Sequence, residues 1–312
     1  MTQAFLVLLA LSAAAALPRA AESFVAAPPA ARRPPSALTV AVLDFGESDT
    51  GRRAADRVAR ALAEAAGAGA YELRLIDRDL ARAAARGSGY RGSLNLSLRE
   101  ARDLAAAVGC DFLVLGDAQT LRRSPADRPS YHEAYASVFV VAAHTGRLVM
   151  WERPAAEGPT PERAEAALFG SLDAHAAARY LDAATRARDE RPPAAETDAA
   201  GPLLDLSAEE SVRREDVREP APFRRVRPAY TEEAARAEAE ATVDALVEID
   251  AEGRVARVEV VRWAGFGLDE SVAAAVRAMH FRPATRDGEP VASRVLLRYN
   301  FRRPAPEKKE TK

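Results

Sequence analysis

Asp44 and Asp117 each stand near the end of an apolar, β-rich run, a placement from which two carboxylates could work as acid and base. No nucleophile–base motif accompanies them, and aspartates at strand ends commonly serve turns and caps. Gly87-Ser88-Gly89-Tyr90-Arg91-Gly92 spells the G-x-G-x-x-G of a nucleotide site. That fingerprint needs its glycines between a strand and the helix they open, whereas these follow a helical stretch and lead into a loop. His132, His144, His175 and His280 fall on separate elements without ligand spacing; only His132 and His144, flanking a hairpin, come near a weak surface metal arrangement. The single cysteine, Cys110, rules out an internal disulfide and any multi-thiolate metal site. Its neighbours, Val108-Gly109-Cys110-Asp111-Phe112, read as the entry to a buried strand, hence a core thiol. Tyr131, Tyr135, Phe139 and Trp151 read as core or rim packing. The expectation is a protein without catalytic residues, metal or cofactor.

The elements that would position any site are more informative. At 312 residues the chain can bury two modest cores. Its 48% hydrophobic and 29% charged content is that of a soluble globular protein, and a net charge of −2 gives no reason to expect nucleic acid. Basic residues are almost all Arg, the lysines being Lys308, Lys309 and Lys312. Ala4 to Leu17 is an apolar run of 14, short of the roughly 20 residues that span a bilayer. Leu17-Pro18-Arg19-Ala20-Ala21 then offers small residues for cleavage, so residues 1–21 read as a signal peptide and the body as periplasmic. If residues 4–17 are not cleaved, the chain is anchored at the inner membrane. No cysteine follows the run for lipidation.

Residues 22–37 read as a Pro-rich tether. From 38 to 188 strands and helices alternate: Thr39–Phe45, a helix over 50–66, Tyr71–Ile76, and a helix opened by Ser97 with Glu100 as a capping box. Phe112–Gly116, a hairpin of 135–143 with 147–151, and an amphipathic helix over 161–188 follow. The fold class expected is α+β: a three-layer-like α/β domain with a mixed sheet, linked to a smaller carboxy-terminal domain. Residues 189–221, rich in Pro and acidic residues, read as a flexible linker, in which Leu203-Leu204-Asp205-Leu206 could dock locally.

The module over 222–303 reads as a helix, a hairpin turning at Asp250-Ala251-Glu252-Gly253, a second helix and a final strand, giving a three-stranded antiparallel sheet. Residues 304–312 form a charged tail. This order, punctuated by Pro228-Ala229-Tyr230, Val247–Val255, Gly267-Leu268-Asp269-Glu270, Phe281-Arg282-Pro283-Ala284, Asp287–Val291 and Tyr299-Asn300-Phe301, resembles the C-terminal domain of the TonB energy-transducer family. The departures are Thr231 in place of a proline, Ala241 in place of a glycine, Met279 in place of an aromatic, and Arg227 in place of a polar contact residue. Residues 38–153 more faintly resemble the TolB amino-terminal and CsgG-like periplasmic domains, which are scaffold modules.

The resemblance implies a partner: an outer-membrane receptor or other envelope protein, gripped as an extended segment added to the last strand. The residues it implicates are Arg227, Pro228 and Tyr230, with the edge formed by Ser293, Arg294, Val295, Leu296, Leu297, Arg298 and Tyr299. Exposed sheet edges would also allow a homodimer. The leading expectation is a periplasmic adaptor, and the alternative is a membrane-anchored energy transducer. Family members that harvest a proton gradient carry a Ser and a His about a turn apart in a spanning helix; here Ser12 is followed by Ala16, and the run holds no His. The native protein should accordingly begin near Ala20 or Ala21. Intact-mass spectrometry checks this; a chain starting at Met1 and extracted only by detergent indicates the anchored alternative.

Overall fold

The computed structural model describes residues 37–67, 72–189, 203–208 and 216–303. The expected signal peptide or anchor, the expected tether up to residue 36 and the expected charged tail lie outside the described residues. Strands β1 (Leu38–Val42), β2 (Leu73–Leu75), β3 (Phe112–Arg123), β4 (Tyr131–Ala142), β5 (Leu148–Glu152) and β6 (Ala155–Gly158) form one mixed sheet. Its order is β2-β1-β3-β4-β5, with β6 also paired to β4; β1 is parallel to β2 and β3, and the remaining pairs are antiparallel. The long β3–β4 hairpin runs Phe112↔Ala142 to Arg123↔Tyr131, well beyond the Phe112–Gly116 strand expected from the apolar run. Its far half is half-polar, so the apolar signal stops while the pairing continues.

Alternation along these strands assigns the two faces. Val40, Val42, Phe112, Val114, Val138 and Val140 point to helices α1 (Asp49–Gly67) and α4 (Pro161–His175). Ala41, Leu43, Leu113, Leu115, Phe139 and Val141 point the other way, towards α2 (Arg78–Gly87) and α3 (Leu98–Val108). The capping box at Ser97 is present, with Glu100 accepting from the Ser97 backbone and side chain. A π-helical turn, Ala176–Leu181, joins α4 to α5 (Asp182–Asp189). It seats the Tyr180 hydroxyl 2.6 Å from the buried Glu152 carboxylate, which His175 and Arg179 also approach.

Within the expected linker, β7 (Leu204–Asp205) and β8 (Val217–Arg218) are paired strands, and β9 begins at Ala221. The carboxy-terminal part continues with β9 (Ala221–Arg224), α6 (Glu232–Ala237), β10 (Ala241–Ile249), β11 (Val255–Arg262) and α7 (Leu268–Arg277). Then follow β12 (His280–Arg282), β13 (Ala284–Arg286), β14 (Glu289–Val291) and β15 (Ser293–Phe301). The main sheet is β11-β10-β15-β7, so the three antiparallel strands expected carry a fourth, parallel one. Val243, Ala245, Val247 and Ile249 of β10 pack on Leu268, Val272 and Val276 of α7.

One hydrophobic cluster runs through both parts, the 38–188 lobe and the carboxy-terminal lobe. Between β11 and α7, Trp263 and Phe266 enter the first lobe and pack on Phe139 at centroid distances of 5.9 and 5.6 Å. Trp151 meets Phe266 at 5.5 Å. The indole N–H donates to the Gly146 carbonyl (2.9 Å), and the Trp263 N–H donates to Leu96 (3.1 Å). Asn95 fills its amide: Nδ2 donates to the Thr242 and Trp263 carbonyls at 2.8 and 2.6 Å, and Oδ1 accepts the Thr242 N–H at 3.0 Å. Gly265, at φ +72°, is required here, because a β-carbon would stand 2.5 Å from the Phe139 ring. Asp269 holds the loop from below, accepting the Ala264 and Gly265 N–H groups at 2.8 and 2.9 Å.

Two predictions follow from this junction. Trp263→Ala should cost about 3–5 kcal/mol, the usual loss for a buried Trp, and should split one calorimetric transition into two as the lobes uncouple. Burial pushes the Asp269 carboxyl up to about 6, against its two N–H bonds. The folded chain therefore holds this proton more tightly than the unfolded chain, so the group's contribution to stability falls as pH rises from about 4 to 6. Integrated over that window, the loss is on the order of 2–3 kcal/mol. Urea unfolding at pH 4.5 and 6.5 should show a flatter dependence for Asp269→Asn than for the native chain; equal slopes would refute the assignment.

Candidate functional site: the free edge of the carboxy-terminal sheet

β15 pairs with β10 along its whole length, from Ser293↔Ile249 to Phe301↔Ala241. On its other side β7 covers only Ser293 and Arg294. Which residues face that open side follows from two bonds: Leu204 N–H donates to the Ala292 carbonyl (2.9 Å) and Leu206 N–H to the Arg294 carbonyl (2.8 Å). Backbone groups alternate between the two edges of a strand, so the even-numbered residues point outward. Leu296, Arg298 and Asn300 therefore turn their N–H and C=O groups to the open edge, and Val295, Leu297 and Tyr299 turn theirs to β10. Among the described residues no strand pairs with that edge beyond Arg294.

The side chains alternate in step. Val295, Leu297 and Tyr299 pack on the core, while Leu296, Arg298 and Asn300 are exposed, Leu296 at 38%. Arg298 donates through Nε and Nη2 to Asp244 at 2.7 and 2.9 Å, across the strand pair. Asp244 is buried, and Arg262 lies 3.5 Å from it and 2.9 Å from Glu100 of α3. Arg294 pairs with Glu248 at 2.7 Å and lies 3.6 Å from Asp205. Ser293 is fully buried.

The Arg227–Tyr230 segment divides in character. Arg227 is exposed. The Tyr230 hydroxyl donates to the Ala234 and Ala239 carbonyls at 3.1 and 2.9 Å, and its ring lies 6.3 Å from Phe301, so Tyr230 is engaged inside the domain with Pro228 half-buried before it. Thr231 caps α6 by accepting the Ala234 N–H (3.1 Å) and donates to the Phe266 carbonyl. Its hydroxyl ties this helix to the loop that enters the first lobe.

The residues that could have suggested catalysis are engaged in structure. Hydrogen bonds from Arg82, with its charge and that of Arg78, hold the Asp44 carboxyl below its usual range. Burial raises that of Asp117, which accepts from Gln119. The Cys110 thiol is pushed up to about 12 by burial, so it is a poor nucleophile. The G-x-G-x-x-G glycines close α2 and enter a loop. Among the described residues no three His, Cys, Asp or Glu side chains form a metal cluster. No helix among them is long and apolar enough to cross a membrane. The roles of Asn95 and Asp244 went unread in the sequence; the polar residues at Asp244 and Glu248, facing Arg298 and Arg294 across the sheet, were the available signal.

Residues 226–302 match the family model described as Gram-negative bacterial TonB protein C-terminal. No curated protein matches the chain. Among solved structures, the TonB C-terminal domain of Pseudomonas aeruginosa aligns at 22% identity over 34% of this chain and 96% of that one, with a TM-score of 0.25. The hypothetical protein CT253 of Chlamydia trachomatis aligns at 13% identity over 46% of this chain and 98% of that one, with a TM-score of 0.34. Lipoprotein GNA1162 of Neisseria meningitidis aligns at 10% identity over 46% and 99%, with a TM-score of 0.30. The family match makes residues 226–302 of this chain a TonB C-terminal domain.

Proposed function

We propose that this chain is an exported, non-catalytic protein of the bacterial envelope. Its carboxy-terminal domain captures an extended segment of an outer-membrane receptor or other envelope protein as a strand beside β15. The 38–188 lobe serves as the scaffold that presents the domain. The observation that carries this reading is the run of backbone groups at Leu296, Arg298 and Asn300 that no strand pairs among the described residues, on a strand paired with β10 along its whole length. Such an edge supplies affinity through main-chain bonds, each worth about 0.5–1.5 kcal/mol net, and selectivity through alternate side chains. Arg294 and Arg298 keep the edge soluble while it is empty. Arg227 and Pro228 flank the captured segment. A homodimer formed through this edge would occupy the same groups and so compete with capture.

The test uses the outward parity. Proline at position 296 removes an N–H that points to the open edge, whereas proline at 297 removes one that bonds β10. Leu296→Pro should keep its circular dichroism spectrum and lose at least tenfold in affinity for synthetic peptides from periplasm-facing segments of outer-membrane receptors, read by fluorescence anisotropy. Leu297→Pro should damage the sheet itself. Binding by Leu296→Pro at the native level would rule out capture at this edge.

A further inference from the structure

Leu204-Asp205-Leu206 is already an extended segment added to β15. It runs parallel to that strand, with Ser293↔Leu204 and Arg294↔Asp205 in register. It takes the first outward carbonyls of the edge, those of Ala292 and Arg294. Its two leucines, each 6% exposed, enter a small cluster with Ala284, Val217, Val291 and Val295, which meets the larger core through Val295. Between them Asp205 turns the other way, and its carboxylate lies 3.6 Å from Arg294. Asp205 then accepts the Ser207 N–H (2.9 Å) and hydroxyl (2.6 Å), a turn that ends the strand before Leu296. Backbone bonds, two apolar side chains in pockets and a carboxylate on a guanidinium are the elements by which a sheet edge recognises a peptide.

We propose that Leu204–Leu206 is an internal occupant of the capture edge, holding its first rungs until a partner displaces it. This rests on the capture reading given above. It also defines the class of partner: an extended segment parallel to β15, with apolar side chains two residues apart and a carboxylate between them. The tethered copy competes at high effective concentration, so a free segment of the same pattern must be present in excess or must continue along Leu296–Asn300 to prevail.

The test uses the full chain and a labelled peptide of residues 202–208, Pro-Leu-Leu-Asp-Leu-Ser-Ala. In the double variant Leu204→Ser/Leu206→Ser the edge is vacated, and the peptide should bind at least tenfold tighter than to the native chain. A control peptide with proline at the Leu206 position lacks the N–H given to Arg294 and should bind neither. A second variant, Leu206→Pro in the chain, removes that donor while keeping Leu204 in its pocket and should also gain affinity, should the double variant fail to fold. In the native chain the Leu204 and Leu206 amides should resist hydrogen exchange. Equal peptide affinity for native and vacated chains, or unprotected amides at both leucines, would overturn the proposal. Protected amides and peptide uptake in a chain that binds no receptor segment would instead confirm self-pairing and remove the capture reading.

Discussion

The structure depends on the entry of Trp263 and Phe266 into the face of the first sheet. That face, with Leu113, Leu115, Phe139 and Val141, is only partly covered by the short helices α2 and α3. A buried sheet face needs a second layer, and the carboxy-terminal lobe supplies the missing part of it. Polar groups at the junction are matched as closely as the apolar ones: the indole N–H has the Gly146 carbonyl, and the Asn95 amide takes up three backbone groups of the other lobe. Leaving any of these buried and unpaired would cost about 1–3 kcal/mol. Once the loop is seated, β11, α7 and the rest of the second sheet have a fixed orientation, and among the described residues β15 is left open on one side beyond Arg294.

Electrostatics extend the same linkage to the edge. Arg298 on β15, Asp244 on β10, Arg262 on β11 and Glu100 on α3 form a continuous chain of opposite charges from the open strand to the other lobe. The buried Asp244 is the costly member, and it is tolerated because two guanidinium groups face it. Arg298 is thereby held against the sheet, leaving the backbone beside it unobstructed.

Much of this was legible in the sequence where a local rule dominates. The capping box at Ser97-Glu100, the alternation through Val243–Ile249 and Ser293–Phe301, the turn at Asp250–Gly253 and the apolar stripe of α7 each rest on one short-range pattern. Illegible were the features that only tertiary partners create. The half-polar ends of β3 and β4 pair because each covers the other, not because either is apolar. Trp263 reads as any aromatic after a strand until Phe139 is placed opposite it. In the Pro-rich and acidic stretch, composition indicated a linker, and the Leu203–Leu206 patch was its one internal exception; the pairing of Leu204 and Leu206 with β15 depends on an edge about ninety residues away in the chain.

The parallel course of β7 beside β15 has a mechanical consequence. Tension along a strand loads all its lateral bonds together, in shear, and a strand yields in proportion to how many bonds share the load. β15 is held to β10 through nine paired positions, whereas β7 is held to β15 through two. Traction on residues upstream of Leu204 would therefore free that segment long before it disturbed the sheet. The domain contains a weak link and a strong one in series, and the weak link lies beside the edge it exposes.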